Sequence, residues 1–249
     1  AYPLGACTSD GHIVVLAGQG KGGRNPILID PEWIVETTAS TDFTEGLKQW
    51  STYSHHGPAR RWWRARAAGA ALIDHPDDKT RKCLHVRKQP ELPADGATWN
   101  FPNGWKGSLE ARIKVPSGSQ GSSIALNDRM FDPTNDFGEE LAVFRVSLSD
   151  LNLTPDQWHT LRFDWDLSNR LCSFKIDDQQ SVELPVRHPT INGLSYVRFR
   201  STAKEMDPSG ILVEQVTVKI TDPFAPACSA QEQRAHEQRY VKEVVPNWK

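Results

Sequence analysis

The sequence predicts an all-β fold in which two antiparallel sheets pack face to face as a sandwich. Apolar and polar residues alternate with a period of two through much of the centre of the chain, as in strands that are buried on one face. Short runs of Asp, Asn, Gly and Ser separate these segments and are typical of turns. Helix-forming composition is concentrated in one long stretch near the C-terminus. A chain of 249 residues is long enough to bury the core of such a sandwich.

Six segments show the strand pattern most clearly. In WHTLRFDWDL, Leu161, Phe163 and Trp165 share one face, which predicts the core side of that strand. In LSYVRFR, the same argument places Arg198 and Arg200 on the outer face. The sequence DLSNR, between the segments 158–167 and 171–178, and the sequence DDQQ, at the end of the second of them, predict hairpin turns. The six segments are 107–115, 140–148, 158–167, 171–178, 194–203 and 210–220.

The two ends of the chain differ from this centre. Residues 1–20 contain two short alternating segments around a Ser-Asp-Gly turn, which predicts a strand hairpin. Residues 229–245 predict a helix with Ser229 at its N-cap, and the prolines of DPFAPA mark the boundary before it. We therefore expect an N-terminal strand extension over 1–36, a β-sandwich over 37–223 and a helical tail over 224–249.

The composition argues against several classes of function. The formal net charge is −2 and the isoelectric point is near 6.5, so no overall positive field favours nucleic acid. No apolar run approaches the roughly 20 residues that a membrane-spanning helix requires. The four cysteines lie far apart without a nearby histidine pair, which argues against a structural zinc site. They leave open disulfides, with three full pairings, or free thiols such as a buried Cys172.

Residues 57–76 form a locally basic and aromatic segment. Four arginines surround Trp62 and Trp63, and such combinations bind nucleic acid or acidic glycans in other proteins. The alternative is a loop and edge strand whose arginines pack over the tryptophans. The nearly neutral overall charge favours this second interpretation.

Residues 41–222 resemble a concanavalin A-like, or laminin G-like, jelly-roll sandwich. The resemblance is carried by TDFTEGLKQWS near the start, by PDQWHTLRFDWD and CSFKIDDQQSVELP in the centre, and by GILVEQVTVKI at the end. It does not imply one function, because lectins, glycanases and purely structural modules share this fold. The jelly-roll glucanases carry an E-x-D-x-E strand for retaining hydrolysis. This sequence contains no such strand.

Residues 1–36 resemble the last blade of a sialidase-like six-bladed propeller. The similarity lies in a Tyr-containing strand that leads into the hairpin TSDGHIVV. It implies that the chain is the C-terminal part of a secreted sialidase-superfamily protein. By this resemblance Tyr2 falls near the position of the sialidase nucleophile, although Pro3 replaces the usual serine. Arg24 alone cannot supply the arginine triad, so the other catalytic residues would come from upstream blades.

The loop IALNDRMFDPTNDFGEE, residues 124–140, is the most site-like segment. It combines planar polar groups with aromatic rings, and sugar recognition requires both. We therefore predict carbohydrate-binding roles for Asn127, Asp128, Arg129 and Phe131. The same oxygen-rich composition would suit calcium. The third alternative is a solvated acidic loop in which Asp-Pro and Asn-Asp form turns.

Arginines recur at outward positions of the predicted strands, at Arg112, Arg145, Arg162, Arg198 and Arg200. If they share one sheet face, they favour a carboxylated or sulfated sugar through bidentate contacts, with Arg145, Arg198 and Arg200 as the candidate binding residues. If arginines instead alternate with Glu110 and Asp164, they form ordinary surface ion pairs. The order of the strands decides between these alternatives.

The jelly-roll resemblance also implies a structural calcium site. Many sandwiches of this kind tie the first strand to the last with a calcium ion, and Asp42 and Asp222 flank the module at those two ends. N-capping and turn formation explain the same two residues without a metal.

Three hypotheses of function follow. The first is a non-catalytic carbohydrate-binding or supporting module of a secreted, extracellular or periplasmic sialidase-like protein, which requires no cofactor beyond the candidate calcium. The second is a sialidase-like glycoside hydrolase whose active site is completed by a propeller domain or by another copy in a homo-oligomer. The third is a structural module that docks partners through residues 57–76 and the C-terminal helix. The first two take a glycan, acidic if the arginines bind it, and none involves nucleic acid or a membrane span.

Overall fold

The structure, a computed structural model, describes residues 4–17, 25–52, 69–90, 94–131, 133 and 136–244. The chain divides into two compact units, Ala1–Thr37 and Thr38–Lys249. Antiparallel sheet dominates both, which confirms the all-β prediction. No helix among the described residues is long and apolar enough to cross a bilayer.

The N-terminal unit is a small antiparallel sheet that contains the predicted hairpin. Gly11 lies in the turn between its first two strands at φ 90°, a conformation that favours glycine. The helix α1 (Pro31–Ile34) follows, and the Asp30 carboxylate caps it by accepting a hydrogen bond from Glu32 N at 2.9 Å. The strands, in spatial order, are β1 (Leu4–Cys7), β2 (Ile13–Ala17) and β3 (Asn25–Ile29).

One layer of the sandwich is an antiparallel sheet of five described strands. In spatial order they are β5 (Trp50–Ser51), β8 (Gly96–Gly104), β15 (Leu194–Ser201), β10 (Ser122–Asn127) and β11 (Phe144–Ser147). The short helix α2 (Phe137–Glu140) precedes β11. Of the segment 140–148, for which the alternation predicts a continuous strand, only Phe144–Ser147 form one, and α2 ends at the first residue of that segment.

The second layer is an antiparallel sheet of eight described strands. Its longest strand, β16 (Asp207–Asp222), has a register shift between Val213 and Gln215 where it pairs with β9 (Lys106–Lys114). In spatial order the sheet contains β14 (Val182–Pro185), β13 (Leu171–Ile176), β12 (Trp158–Asp166), β9 (Lys106–Lys114), β16, β7 (Lys82–Lys88) and β6 (Ala71–Asp74), and β4 (Thr38–Thr41) also pairs with β16.

The hydrophobic core lies between the inward faces of these two sheets. On β12, Leu161, Phe163 and Trp165 are buried, as the alternation predicts. Phe101 of the five-stranded sheet meets Trp165 of the eight-stranded sheet with 6.1 Å between ring centroids. Burial of one such side chain contributes about 1.5–3 kcal/mol to the stability of the fold. This shared apolar layer confirms the sandwich.

The four cysteines are free thiols. Cys83 and Cys172 are buried, whereas Cys7 and Cys228 are exposed. Cys172 lies on β13 and belongs to the hydrophobic core. It therefore packs as a small apolar side chain, one of the alternatives that the sequence left open.

The predicted C-terminal helix is α3 (Ala230–Val244). Ser229 and Glu232 form a capping box at its start. Ser229 Oγ accepts a hydrogen bond from Glu232 N at 3.2 Å, and Glu232 Oε2 accepts one from Ser229 N at 2.7 Å. Among the described side chains of α3, only His236 is partly buried, and the others are exposed.

Candidate functional site

A polar cleft of about 340 Å³ lies on the outer face of the five-stranded sheet. Two arginines from different strands, Arg145 of β11 and Arg200 of β15, line it together with the acidic end of α2. We call it the arginine cleft. Its lining residues are Ala94, Asp136, Glu139, Glu140, Arg145, Arg200, Ser201, Thr202 and Ala203.

The strand register explains why the two arginines meet at one cleft. Arg145 pairs with Ala125 on β10, and Arg200 pairs with Ser123 on the other side of the same strand. Positions 123 and 125 lie on one face of β10 because successive side chains alternate between faces. Arg145 and Arg200 therefore project from the same face, with β10 between them.

The partner of Arg145 in the cleft is a buried carboxylate. Glu139 Oε2 lies 3.0 Å from Arg145 Nε, and the Glu139 side chain is 9% exposed. Its other oxygen, Oε1, lies 3.7 Å from Nη1 of Arg198. Glu139 thus sits between two guanidiniums, and its contact with the Nε edge of Arg145 orients that side chain. Neither terminal nitrogen of Arg145 hydrogen-bonds to a described residue.

The partner of Arg200 is an exposed carboxylate. Arg200 Nη1 donates to Asp136 Oδ1 at 2.5 Å, and the Asp136 side chain is 78% exposed. Arg200 Nε and Ser123 Oγ are both buried and have no hydrogen-bond partner among the described residues. Buried polar atoms without partners are uncommon in proteins and mark positions where a bound molecule or water completes the hydrogen bonds.

The prediction that Arg198 faces outward to bind a sugar is wrong. Arg198 does lie on the outer face of β15, but residues 133 and 136–140 cover it and leave it fully buried. Its Nε and Nη2 donate to the Pro133 carbonyl at 3.1 and 2.8 Å. Arg198 therefore holds this covering segment on the sheet and has no surface left for a ligand.

Two glycines permit the close approach of the covering segment. A Cβ on Gly96 would lie 1.7 Å from the Pro133 carbonyl oxygen, and a Cβ on Gly138 would lie 2.2 Å from Arg198 Nη1. A side chain at either position would force the segment away from the sheet. The close packing of the covering segment on the sheet, which forms the floor of the arginine cleft, thus requires glycine at both positions.

Asn127 and Phe131, which the sequence proposes for sugar binding, are both buried. Asn127 Nδ2 donates to the Gly138 carbonyl at 3.0 Å, so its amide stabilises α2. Phe131 is 8% exposed and offers no open ring face for stacking. Both predictions are therefore wrong for this arrangement of the loop.

Asp128 and Arg129 form a separate cluster that contacts α3. Both carboxylate oxygens of Asp128 accept hydrogen bonds from Arg129 at 2.8 Å, and Thr190 Oγ1 donates to Asp128 at 2.6 Å. Burial acts to raise the pKa of Asp128, but the hydrogen bonds and charge of Arg129 outweigh it and lower that pKa. His236 Nε2 lies 2.5 Å from Arg129 Nη2. These residues therefore connect the sandwich to its C-terminal helix and do not line the arginine cleft.

The register of β4 and β16 separates Asp42 from Asp222. Thr41 pairs with Val216, which places Asp42 close to Gln215, near the middle of β16 and seven residues along that strand from Asp222. Seven residues of extended strand span about 20 Å. The two carboxylates cannot bind one calcium ion, so that prediction is wrong. Within the described part of the chain no group of His, Cys, Asp or Glu is arranged to hold a metal ion.

The arginines of the eight-stranded sheet form surface ion pairs, the alternative that the sequence left open. Arg162 binds Asp164 through Nε and Nη2, both at 2.7 Å, and Glu110 through Nη1 at 2.6 Å. Arg112 instead pairs with a buried carboxylate, with its Nε 2.5 Å from Glu214 Oε2. These guanidiniums are on the other sheet and do not join the arginine cleft.

Four residues that the sequence analysis names fall outside the described residues. They are the candidate catalytic residues Tyr2 and Arg24, and Trp62 and Trp63 of the basic segment. Sequence reasoning also missed Ser123 and Thr202. A serine or threonine carries no charge that would mark it in the sequence as a site residue. Only the strand pairing brings Ser123 beside Arg200.

Comparison with known proteins relates the fold to a sialidase. No family model matches the chain, and no curated protein matches it. A solved sialidase chain is similar in structure with a TM-score of 0.52 and 13% sequence identity, over 86% of this chain and 21% of the sialidase. This chain therefore spans about a fifth of that protein. At this identity the likeness establishes a shared fold.

Two shorter solved structures are similar at lower scores. A family 16 glycoside hydrolase endo-glucanase from Bacteroides ovatus is 14% identical with a TM-score of 0.46, over 72% of this chain and 99% of its own. The exoplasmic/lumenal domain of VIP36, in a form bound to calcium and Man3GlcNAc, is 9% identical with a TM-score of 0.41, over 79% of this chain and 92% of its own.

Proposed function

We propose that this chain is a non-catalytic carbohydrate-binding module of a secreted glycan-directed protein, and that it binds an acidic glycan at the arginine cleft. The observation that supports this function is the pair Arg145 and Arg200. They project from one sheet face into one cleft, and most of their N–H donors have no partner among the described residues.

The chemistry of the cleft favours a carboxylated or sulfated sugar. A guanidinium presents N–H donors in a planar fork that matches the oxygens of a carboxylate or sulfate. None of the described lining residues is aromatic, so none of them offers the sugar ring a stacking partner. Recognition would therefore depend on charge-assisted hydrogen bonds, with Thr202 available for a hydroxyl group.

The carboxylates of the cleft favour binding over hydrolysis. Glycoside hydrolysis uses two carboxyl groups that flank the scissile bond, one to donate a proton and one to attack or activate water. Here Glu139 contacts Arg145 and Asp136 contacts Arg200. Both carboxylates thus form ion pairs with the arginines of the cleft. The likeness to part of a sialidase is in keeping with a module that accompanies a glycan-directed domain.

Calorimetric titration with defined oligosaccharides tests this proposal. We expect binding to sugars that carry sialic acid, uronic acid or sulfate, and none to neutral oligosaccharides. Arg145→Ala and Arg200→Ala should each weaken binding by about tenfold or more, because each removes a charge-assisted contact of about 1.5–3 kcal/mol. Arg162→Ala, on the other sheet, is the matched control and should leave affinity unchanged.

The dependence on salt gives an independent readout. Ionic recognition at a surface cleft should weaken as sodium chloride rises from about 0.05 to 0.5 M, since screening shortens the range of the interaction. Failure to bind any acidic glycan at low salt would overturn the proposed function. Equal affinity of the wild type and both arginine variants for the glycan would show that the glycan binds outside the arginine cleft.

A second candidate function concerns a longer protein. The similar sialidase is about five times the length of the matched region, as its 21% coverage indicates. This favours the alternative in which a propeller supplies a hydrolase active site that includes Tyr2 and Arg24. Hydrolysis of a sialoside by the full-length protein, and its loss in Tyr2→Phe, would support this role. Full activity in Tyr2→Phe would exclude that tyrosine as the nucleophile.

A further inference from the structure

The two arginines of the cleft have carboxylate partners of opposite character. Glu139, the partner of Arg145, is 9% exposed and also faces Arg198, so this residue of the covering segment is held by two arginines. Asp136, which forms the ion pair with Arg200, has a side chain that is 78% exposed. Glu139 therefore belongs to the framework of the cleft, whereas Asp136 lies on its open side.

We propose that Asp136 is an internal competitor that occupies the anion-binding position of Arg200 and that an acidic ligand displaces it. This inference rests on the proposed function of the arginine cleft. A carboxylate from the ligand would take the place of the Asp136 carboxylate at Arg200 Nη1. It would also reach Arg200 Nε, which is buried and has no hydrogen-bond partner in the part of the chain that the structure describes.

The energetics of the two ion pairs support displacement at Arg200 and not at Arg145. The Arg200–Asp136 pair is exposed on one side only, since the side chain of Asp136 is 78% exposed and that of Arg200 is 11% exposed. Water solvates the Asp136 carboxylate when the charges separate, which lowers the cost of separation, and the acidic ligand supplies the charge that the less exposed Arg200 then requires. Separation of Glu139 from its arginines would instead leave a buried carboxylate without a compensating charge, which is strongly unfavourable. The ligand can therefore replace Asp136 while Glu139 continues to orient Arg145.

The competitor also makes the cleft selective. A neutral sugar that enters must either leave the Arg200–Asp136 pair intact or break it without a replacement charge. A carboxylate or sulfate replaces one charge-assisted hydrogen bond with another and adds contacts to the unpartnered Nε and to Arg145. Asp136 thus discriminates against neutral ligands, since specificity depends on the difference between two affinities.

Asp136→Asn tests the proposal, because it removes the competing charge and preserves the size of the side chain. The probes are inorganic sulfate and a sialic acid-containing oligosaccharide, titrated into the whole chain. Sulfate binding is followed through the arginine Nε–Hε resonances in NMR spectra. We expect Asp136→Asn to bind both probes about two- to fivefold more tightly, with a thermal midpoint that falls only slightly, because the carboxylate that is lost is exposed.

Glu140→Gln is the matched control. Glu140 lines the same cleft and is exposed, and it forms no ion pair with a described residue. Its substitution removes the same charge from the same region, so it reports the general electrostatic effect of a lost carboxylate. Direct competition predicts a larger gain for Asp136→Asn than for Glu140→Gln. Equal gains, or no gain in Asp136→Asn, would overturn the proposal.

The two probes separate this inference from the proposed function. If no acidic glycan binds but sulfate shifts the Arg200 resonance, and does so more tightly in Asp136→Asn, then competition stands and the glycan function fails. If glycans bind the wild type and Asp136→Asn equally well, the function stands and competition fails. If sulfate leaves the Arg200 resonance unchanged in both proteins, Arg200 is not an anion site and the inference fails.

Discussion

The guanidinium of Arg198 lies directly beneath Gly138, close enough that a Cβ on that glycine would be 2.2 Å from Arg198 Nη1. This contact joins β15 to the helix that contributes Glu139 to the arginine cleft. Arg198 also donates two hydrogen bonds to the carbonyl of Pro133. One buried arginine therefore supports the segment that forms one side of the cleft.

Arg198→Ala should destabilise the protein by about 3–5 kcal/mol, because it leaves the buried Glu139 carboxylate without one of its two arginines and the Pro133 carbonyl without a donor. Chemical denaturation monitored by circular dichroism measures the change. Arg162→Ala, which removes an exposed arginine from the other sheet, should cost about 1 kcal/mol or less. Similar losses in the two variants would show that Arg198 has no special structural role.

Asp95 should make stability depend on pH in the neutral range. Burial raises the pKa of this carboxyl to about 6 from 3.8, so the folded state favours the protonated form. The resulting stabilisation is fully present below about pH 4 and is lost as pH rises through 6, with a total change on the order of 2–3 kcal/mol. Asp95→Asn should abolish this dependence.

Denaturation of wild type and Asp95→Asn at several pH values between 4 and 8 tests this. Other carboxylates titrate in both proteins, so the informative quantity is the difference between their free energies of unfolding. That difference should shift in favour of Asp95→Asn as pH rises from 5 to 7. A constant difference across this range would mean that Asp95 titrates normally in the folded protein.

The cysteines should fall into two classes of reactivity. Cys7 and Cys228 are exposed, whereas burial raises the pKa of Cys83 to about 11 and that of Cys172 to about 12. Because the thiolate is the reactive species, the buried pair should be inert at neutral pH. A thiol-reactive disulfide reagent should label two cysteines in the native protein and four in denaturant. Rapid labelling of Cys172 under native conditions would contradict its place in the core.

Glu214 should stabilise the outer face of the eight-stranded sheet. This buried carboxylate lies 2.6 Å from Arg81 Nη1, 2.5 Å from Arg112 Nε and 3.5 Å from His75 Nε2. Glu214→Ala would leave two arginines facing each other and should cost about 2 kcal/mol, a value reduced by the partial exposure of both guanidiniums. Calorimetry measures the loss as a lower Tm. Gln215→Ala, at the adjacent exposed position, should change Tm little.

Strand positions and inward faces were predictable because they depend on local alternation. On β12 the buried positions are those that the sequence indicates, since one-sided burial requires a period of two. The capping box of α3 was recognisable for a similar reason, because Ser229 and Glu232 lie within a single turn. In these cases the residues that interact are close in sequence.

The calcium prediction failed because it depended on contacts between distant residues. Asp42 and Asp222 flank one module in the sequence, but antiparallel pairing of β4 with β16 places Asp42 near the middle of the longer strand and Asp222 at its end. The acidic loop failed in part for the same reason. Its Asn127 donates a hydrogen bond to α2, its Phe131 is buried, and its Asp128 is paired with Arg129.

The sequence alone determined the fold class, because the alternation of apolar and polar residues is a local property that only half-buried strands satisfy throughout. It also indicated the outward arginines. Only the tertiary structure decided what each arginine does. Arg198 and Arg200 have the same phase on β15, yet one is covered by residues 133 and 136–140 and the other lines the cleft. Alternation reports which face of a sheet a side chain occupies, whereas coverage of that face depends on long-range packing.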